Sequence, residues 1–517
     1  MVKPTFGPRT EGLAKKLIAL NLFVIIAATY LVTASGYTLS DAGQSRVAVA
    51  RALVERGDVS VPADIGIMGR DGRYYSWFGI GPALAALPFY VVGKATGADP
   101  AFVTSLLDQL AGAITVVLVF LFCTCLGFSN KSSLITALFY GLGTMAWPYA
   151  KNPTDHALET LFVLLSVYFM YRHRHERHIS HLVLSAFSFG FALLIRPTSI
   201  LAAPALAILL IHPLHTRADA RRSLKQCLLY AILMVPCFAL MLWYDYLRFG
   251  SVFETGYGLV AARLGVDYFS GTPFTTGLLG FLVSPGKGFF YYSPVVVLFF
   301  LAVRPFSRKF PVISLSFMVI VLSTLVLYSK FIYWHGCNGW GPRYLLVTTP
   351  YLIIQLAVIF DSPLWRGKPM LRKTVYLLFA LSLIVQAGAI TVSPYKYFVY
   401  LQTEKKVVFN VAESPGVPPI IEPPAETYFD WHLSPVLAQF TFMGRMAAQM
   451  KDYRYHEPPA EASYREQILA QPWMNVFDFW WLYEYLLEGK VTGLMVALLL
   501  LILIIASGYR LLCLARE

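Results

Sequence analysis

The stretch LIALNLFVIIAATYLVTASGYTLSDAGQSR, residues 17–46, decides how this chain is read. No charge appears in it before Asp41. An apolar run of roughly twenty residues crosses about 30 Å of hydrocarbon as a helix. Lys3, Arg9, Lys15 and Lys16 precede the run, and no A-x-A-like site follows it. That pattern predicts an uncleaved signal anchor with its basic end in the cytoplasm. The polar stretch Ser40-Asp41-Ala42-Gly43-Gln44-Ser45-Arg46 then emerges on the outer surface, at the start of a long loop.

Working outward, the same pattern repeats. Of the 517 residues 57% are hydrophobic and only 14% charged, against about a quarter charged in a soluble domain. The net charge of +13 raises nucleic-acid binding as a possibility. The cations, however, gather in short connections between apolar runs, at 172–178, 217–225, 304–309, 366–373 and 510–516. That is the positive-inside distribution of a membrane protein, and it excludes a nucleic-acid partner. Five of the six cysteines fall within apolar runs, and only Cys337 is outward, so no disulfide framework is expected.

Candidate spans begin near residues 17, 78, 101, 132, 156, 181, 198, 226, 291, 310, 344, 375 and 491. If every one crossed, the 172–178 cluster would lie outside. The segment 78–92 contains Gly79, Gly81, Pro82 and Pro88, which weaken a helix. Read as interfacial or re-entrant, it restores every basic cluster to one side. The expectation is an all-α polytopic membrane protein with about twelve transmembrane helices, both ends inside, and interfacial helices in the first external loop. Residues 1–392 form the membrane module, with external loops at 37–100, 149–155, 247–293 and 328–343. Residues 393–490 form a small external segment, and 491–517 the last span and a cytoplasmic tail.

The outward loops hold the residues with chemistry. Asp41 reads as a helix start, with Gln44 completing a capping box, and as a general base for an acceptor hydroxyl. The two roles are compatible, and a carboxylate beside a dry interface has its pKa raised. Asn152-Pro153-Thr154-Asp155-His156 reads as a helix start capped by Thr154, and as the source of a second acidic group. Asp41, Asp155 and His156 together would suit Mg²⁺ or Mn²⁺, although the sequence requires no cofactor.

The cations Arg73, Arg196, Lys287 and Arg343 are outward as well. Lys287 lies between glycines in Ser284-Pro285-Gly286-Lys287-Gly288, just before Tyr292. Backbone and ammonium can approach an anion together there. Arg343 ends the run Trp334-His335-Gly336-Cys337-Asn338-Gly339-Trp340-Gly341-Pro342-Arg343. Aromatic faces such as Trp340 and Tyr292 stack on sugars, and Arg holds phosphate in a fork. Arg73, Lys287, Arg343, His335, Trp340 and Tyr292 are therefore the candidates for binding a sugar phosphate. Interface anchoring is the structural alternative for the aromatic loop. The mixed stretch 245–258 reads as loop material for an acceptor.

The order of these elements, a first span, an external loop opening with Asp41, a broken apolar segment and Asp155 in the second external turn, resembles the GT-C superfamily. The resemblance is to its protein O-mannosyltransferase and lipid A aminoarabinose transferase-like branch. It runs from the first span to about Tyr351. It implies a GT-C-type helical bundle and an inverting membrane glycosyltransferase. The implied donor is a polyprenyl-phosphate sugar, with a lipid, glycan or protein as acceptor and membrane lipids as surroundings. It also implies Asp41 as the base and Asp155 as the second acid. Relatives often carry two adjacent acids in the first loop, whereas Ala42 follows Asp41 here. The expected location is a bacterial inner membrane, with the active site facing the periplasm or exterior. A secondary transporter or flippase of lipid-linked sugars, kept open by Asp108 and Glu159, is the alternative from another class. A surface-polysaccharide ligase or polymerase is the third reading.

Overall fold

The computed structural model describes residues 8–211, 217–450, 453, 455, 457–459 and 464–514. Lys3 and Arg516, two of the basic residues read as cytoplasmic, lie outside the described residues. The chain is helical almost throughout. Helix α1 (Pro8–Val32) leads to α2 (Asp41–Glu55), a small hairpin of β1 (Ile67–Met68) and β2 (Tyr74–Tyr75), and α3 (Gly81–Thr96). Then come α4 (Pro100–Cys125), α5 (Asn130–Gly143), α6 (Ala146–Lys151), α7 (Asp155–Glu176), α8 (Ile179–Ile195), α9 (Ala203–Ile211) and α10 (Arg217–Phe249). Helices α11 (Gly256–Leu264) and α12 (Phe274–Val283) follow.

Among the described residues seven helices are long and apolar enough to cross a membrane. They are Gly12–Val32, Pro100–Cys125, Asp219–Phe249, Pro311–Lys330, Arg343–Phe360, Pro369–Thr391 and Thr492–Leu514. The all-helical membrane architecture is thus as the sequence predicts, but the expected count of about twelve is not reached by length and composition. Helix α5 has 14 residues, about 21 Å at 1.5 Å per residue. The apolar run 197–211 starts as a 3-10 turn after Arg196-Pro197. Helix α7 has 22 residues but ends on His173, Arg174 and His175. Helix α3 is continuous over 16 residues despite Pro88, about 24 Å long and short of the hydrocarbon thickness. Part of 247–293, expected as a polar external loop, is instead the apolar helix α12.

Contacts sort the connections into two ends. At one end Lys15 feels the charge of Arg172. There Lys309 lies 4.7 Å from the Phe128 ring centroid, and the Ser129 hydroxyl donates to Asp361 at 2.7 Å. These are the clusters that the positive-inside rule groups together. At the opposite end the Ser40 hydroxyl donates to the Pro153 carbonyl, and the Tyr149 hydroxyl donates to the Trp340 carbonyl at 2.8 Å.

The segment after Thr391 packs on this second end. It contains an antiparallel hairpin, β3 (Asn410–Ser414) and β4 (Val417–Glu422), in which Val411 pairs with Ile421. The Met68 amide donates to the Gly416 carbonyl at 3.1 Å, joining the hairpin turn to the first external loop. Asp478 is fully buried, 2.9 Å from the Lys151 ammonium. It also accepts from the hydroxyls of Tyr37 at 2.7 Å and Tyr483 at 2.8 Å. The segment after Thr391 is therefore tied by an ion pair and hydrogen bonds to the loops that open α2 and α7.

Candidate functional site

Ser40, not Asp41, caps α2. Its backbone is extended and its hydroxyl oxygen accepts the Gly43 amide at 3.0 Å. The capping box expected from Asp41 and Gln44 is not formed, because the cap lies one residue earlier. Gln44 instead donates to the Thr38 carbonyl at 3.4 Å. Asp41 becomes the first helical residue, and among the described residues its carboxylate accepts no hydrogen bond. Its side chain is open to solvent, yet protein crowds it on most sides. Burial in that recess pushes its pKa above the usual Asp value, and the Arg343 charge pulls the other way. A carboxylate left free of capping at a helix start is available for chemistry.

A cleft of about 520 Å³ opens beside α2. Its walls come from residues 37–40, 148–154, 338–343 and 394–395. Arg343 forms one wall. Its Nη2 donates to the Tyr344 hydroxyl at 3.2 Å and its guanidinium lies 5.1 Å from that ring centroid. Gly336, at φ +65°, lets the arginine stem lie across the loop, since a Cβ there would fall 2.8 Å from Arg343 Nε. Three polar atoms at this cleft are buried without a partner: Thr154 Oγ1, Trp340 Nε1 and Arg343 Nε. Native interiors rarely leave such atoms unpaired, which makes this wall a candidate place for a polar ligand. Tyr395 faces it as well. Burial and the charge of Asp41 both push its hydroxyl pKa up.

Asp155 sits deeper. Its Oδ1 is 3.3 Å from Arg46 Nη2. Arg46 also meets Asp108 at 2.5 Å and donates to the Thr154 carbonyl at 2.7 Å. All three side chains are buried. His156 lies 3.6 Å from Glu159, and its Nε2 is 3.3 Å from Arg196. Arg196 in turn contacts Glu159 at 3.5 Å. The expected metal set of Asp41, Asp155 and His156 is therefore not gathered. Arg46 and Arg196 occupy the positions next to Asp155 and His156 that a cation would need. Among the described residues the one group spaced to share an ion is His335, Cys337 and Glu422.

The other candidates divide. Lys287 is buried, and its ammonium donates to the carbonyls of Cys337 at 2.9 Å and Gly339 at 2.6 Å. Burial and the nearby Arg343 push its pKa down to about 7. It holds the Arg343 loop in place and lines a neighbouring hollow with Trp340, Tyr292 and Tyr428. Tyr292 is buried, with its hydroxyl donating to the Gly286 carbonyl at 2.7 Å and its ring edge-on to Trp340 at 4.8 Å. His335 stacks on Tyr428 at 4.6 Å. Arg73 is not brought to the cleft. It stays on the exposed β-hairpin, 3.8 Å from Asp71 and 3.9 Å from Asp58.

Sequence reasoning missed Arg46 and Tyr395. An acid inside an apolar run, as at Asp108, calls for a cationic partner. The partner is 62 positions away, and nothing local names it. Tyr395 carries no signal beyond its aromatic type.

Residues 82–244 match the family model described as dolichyl-phosphate-mannose-protein mannosyltransferase. The match falls on the protein O-mannosyltransferase-like branch that the sequence resembles. A comparison with curated proteins gives no match. Among solved structures the chain is similar to ArnT from Cupriavidus metallidurans bound to undecaprenyl phosphate, at 14% identity and a TM-score of 0.47, covering 98% of this chain and 77% of that one. It is similar to the apo oligosaccharyltransferase of Archaeoglobus fulgidus at 11% identity and a TM-score of 0.42, covering 78% and 59%. It is similar to the arabinosyltransferase EmbB from Mycobacterium smegmatis at 14% identity and a TM-score of 0.41, covering 99% and 42%.

Proposed function

We propose that this chain is an inverting glycosyltransferase. In this reading it moves a sugar from a polyprenyl-phosphate donor to an acceptor hydroxyl at the outer face of a bacterial plasma membrane. One observation carries it: the uncapped carboxylate of Asp41 follows directly on Ser40 of the cleft wall and feels the charge of Arg343, which lines the same cleft. The family match over residues 82–244 supports the same chemistry.

Asp41 takes the proton of the acceptor hydroxyl. The freed oxygen attacks the anomeric carbon from the face opposite the phosphate. The bond from that carbon to the phosphate oxygen breaks, and polyprenyl phosphate leaves with the electron pair. Arg343 neutralises the departing charge through its fork. The base contributes roughly 10²–10⁴ in rate and the charge-stabilising group about 10²–10³. Asp155 acts from behind, holding Arg46 and with it the Thr154 carbonyl on the cleft wall. The acceptor is a lipid, glycan or protein hydroxyl.

Transport is the weaker reading. Asp108 and Glu159, the acids that would serve it, are each held by an arginine. A transporter's acids line a path instead.

The test is a panel of radiolabelled prenyl-phosphate sugars offered to the purified protein with acceptor extracts. One donor should be consumed and its sugar recovered on an acceptor, one sugar per event. Asp41→Asn should lower that turnover by about 10²–10⁴ while donor binding persists. Full turnover in Asp41→Asn would remove the base assignment. A many-sugar mass shift would mark a ligase, and flux into vesicles without a new bond would mark a transporter.

A further inference from the structure

The loop bearing Arg343 and the hairpin β3–β4 meet at three side chains of metal-ligating type. His335 and Cys337 come from the loop, and Glu422 ends β4. Their donor atoms all lie within 4.8 Å of one another. His335 Nε2 is 3.4 Å from Glu422 Oε2, and Cys337 Sγ is 3.5 Å from the same oxygen. The first distance is long for a hydrogen bond between nitrogen and a carboxylate, which runs about 2.7–3.2 Å.

A tetrahedral zinc ion has bonds of about 2.0–2.1 Å to nitrogen, about 2.0–2.2 Å to oxygen and about 2.3 Å to sulfur. Those bonds require ligand-to-ligand edges of about 3.4 Å for nitrogen to oxygen and about 3.5 Å for sulfur to oxygen. The two separations to Glu422 lie close to these edges, and the third, between His335 and Cys337, is within 4.8 Å.

We propose that His335, Cys337 and Glu422 bind a zinc ion, with water in the fourth position. The donor set of imidazole, thiolate and carboxylate suits zinc and not magnesium or calcium. Binding releases the thiol proton to solvent. The two ligand charges then match those of the ion, so the centre is neutral toward the flanking Lys287 and Arg343. The Cys337 amide donates to His335 Nδ1 at 3.1 Å, which without the ion puts the ring proton on Nε2, facing Glu422. Coordination through Nε2 places the ring proton on Nδ1 and opens this contact.

A second observation concerns the backbone. Cys337 sits at φ +45°, a left-handed conformation that is uncommon for a residue with a side chain. Its sulfur lies 3.5 Å from Glu422 Oε2. Strain of this sort persists where the surroundings demand it. The ion would staple the external hairpin to the loop whose far end is Arg343. This site does not depend on the transferase reading.

The test uses the tag-free, full-length protein in detergent. It is incubated with zinc, desalted, and its metal measured by mass spectrometry. In parallel, cobalt(II) is added and the spectrum searched for a thiolate-to-cobalt charge-transfer band. The expected result is about one zinc per chain and a cobalt–thiolate band, both lost in Cys337→Ser and in Glu422→Gln. Wild-type protein that keeps no zinc and shows no band overturns the site. So does zinc retained equally by wild type and both variants. Should the variants fail to fold, the cobalt spectrum of a protein whose other five cysteines are replaced decides, since a thiolate band there can come only from Cys337.

Discussion

Asp41 is under two opposite demands. Burial raises the Asp41 pKa, while the guanidinium stabilises its charged form. A base works only when ionised, so turnover should rise with pH through a value above the ordinary Asp range and level off beyond it. A profile of kcat/KM against pH for wild-type protein checks this, and a plateau that persists down to ordinary carboxylate values would contradict it. The sign for stability is opposite. A carboxyl whose folded pKa is raised destabilises the fold once the unfolded chain ionises, at pH above its ordinary value. At neutral pH Asp41→Asn should therefore leave the melting temperature unchanged or higher, while transfer falls. At this scale the sequence singled out Asp41 and Arg343 because of their outward setting. It could not say that Ser40 would cap the helix in place of Asp41, since Ser and Asp are about equally good caps. Nor could it say that Lys287 would be spent on the carbonyls of Cys337 and Gly339, because backbone partners leave no mark in a sequence.

Between elements, two close approaches hold the bundle around the cleft. Helix α12 crosses Pro311–Lys330 at Gly277, where an added Cβ would fall 2.1 Å from the Ser329 carbonyl oxygen. Gly277→Leu should separate the two helices and cost about 1–3 kcal/mol, read as a lower melting temperature in detergent. The second approach is electrostatic. Arg46 of α2 is fixed between Asp108 of α4 and Asp155 of α7. Removing Asp108 takes away the closer of the two acids and leaves Arg46 with Asp155 alone, the loss of a buried charged hydrogen-bond partner that costs about 1–3 kcal/mol. Asp108→Ala should therefore unfold at lower temperature, and a double variant that also removes the Asp155 carboxylate should fall further, since Arg46 then loses both acids. Equal stability of Asp108→Ala and wild type would show that the cluster carries no such weight. Long apolar runs made α1, α4, α10 and Pro369–Thr391 legible from hydropathy alone. The apolar helix α12 was not, because its 10 residues sit among glycines, prolines and polar groups that also describe a loop. The break at Arg196-Pro197 was legible, since the residue before proline is pushed out of the helical region.

For the whole molecule the question is which end faces out. The basic clusters collect at the end opposite the cleft, as the positive-inside rule demands of a cytoplasmic face. In a cysteine-free background, Glu413→Cys on the β3–β4 hairpin should react with a membrane-impermeant maleimide in intact cells. Lys368→Cys, exposed at the other end, should react only after permeabilisation. The reverse pattern would turn the protein over and move the cleft to the cytoplasm. The grouping of ends came from the sequence because it depends on counting cations between spans. The clasp of Asp478 on Lys151 did not, for it joins residues 327 positions apart.

That clasp has a consequence for biosynthesis. Loops emerging early from the ribosome form two walls of the cavity, but their lysine stays without its carboxylate until residue 478 is translated. A nascent chain halted before that point would leave the Lys151 ammonium, directly behind the cleft-wall residue Asn152, without its carboxylate, so the fold closes only when nearly all of it has been made.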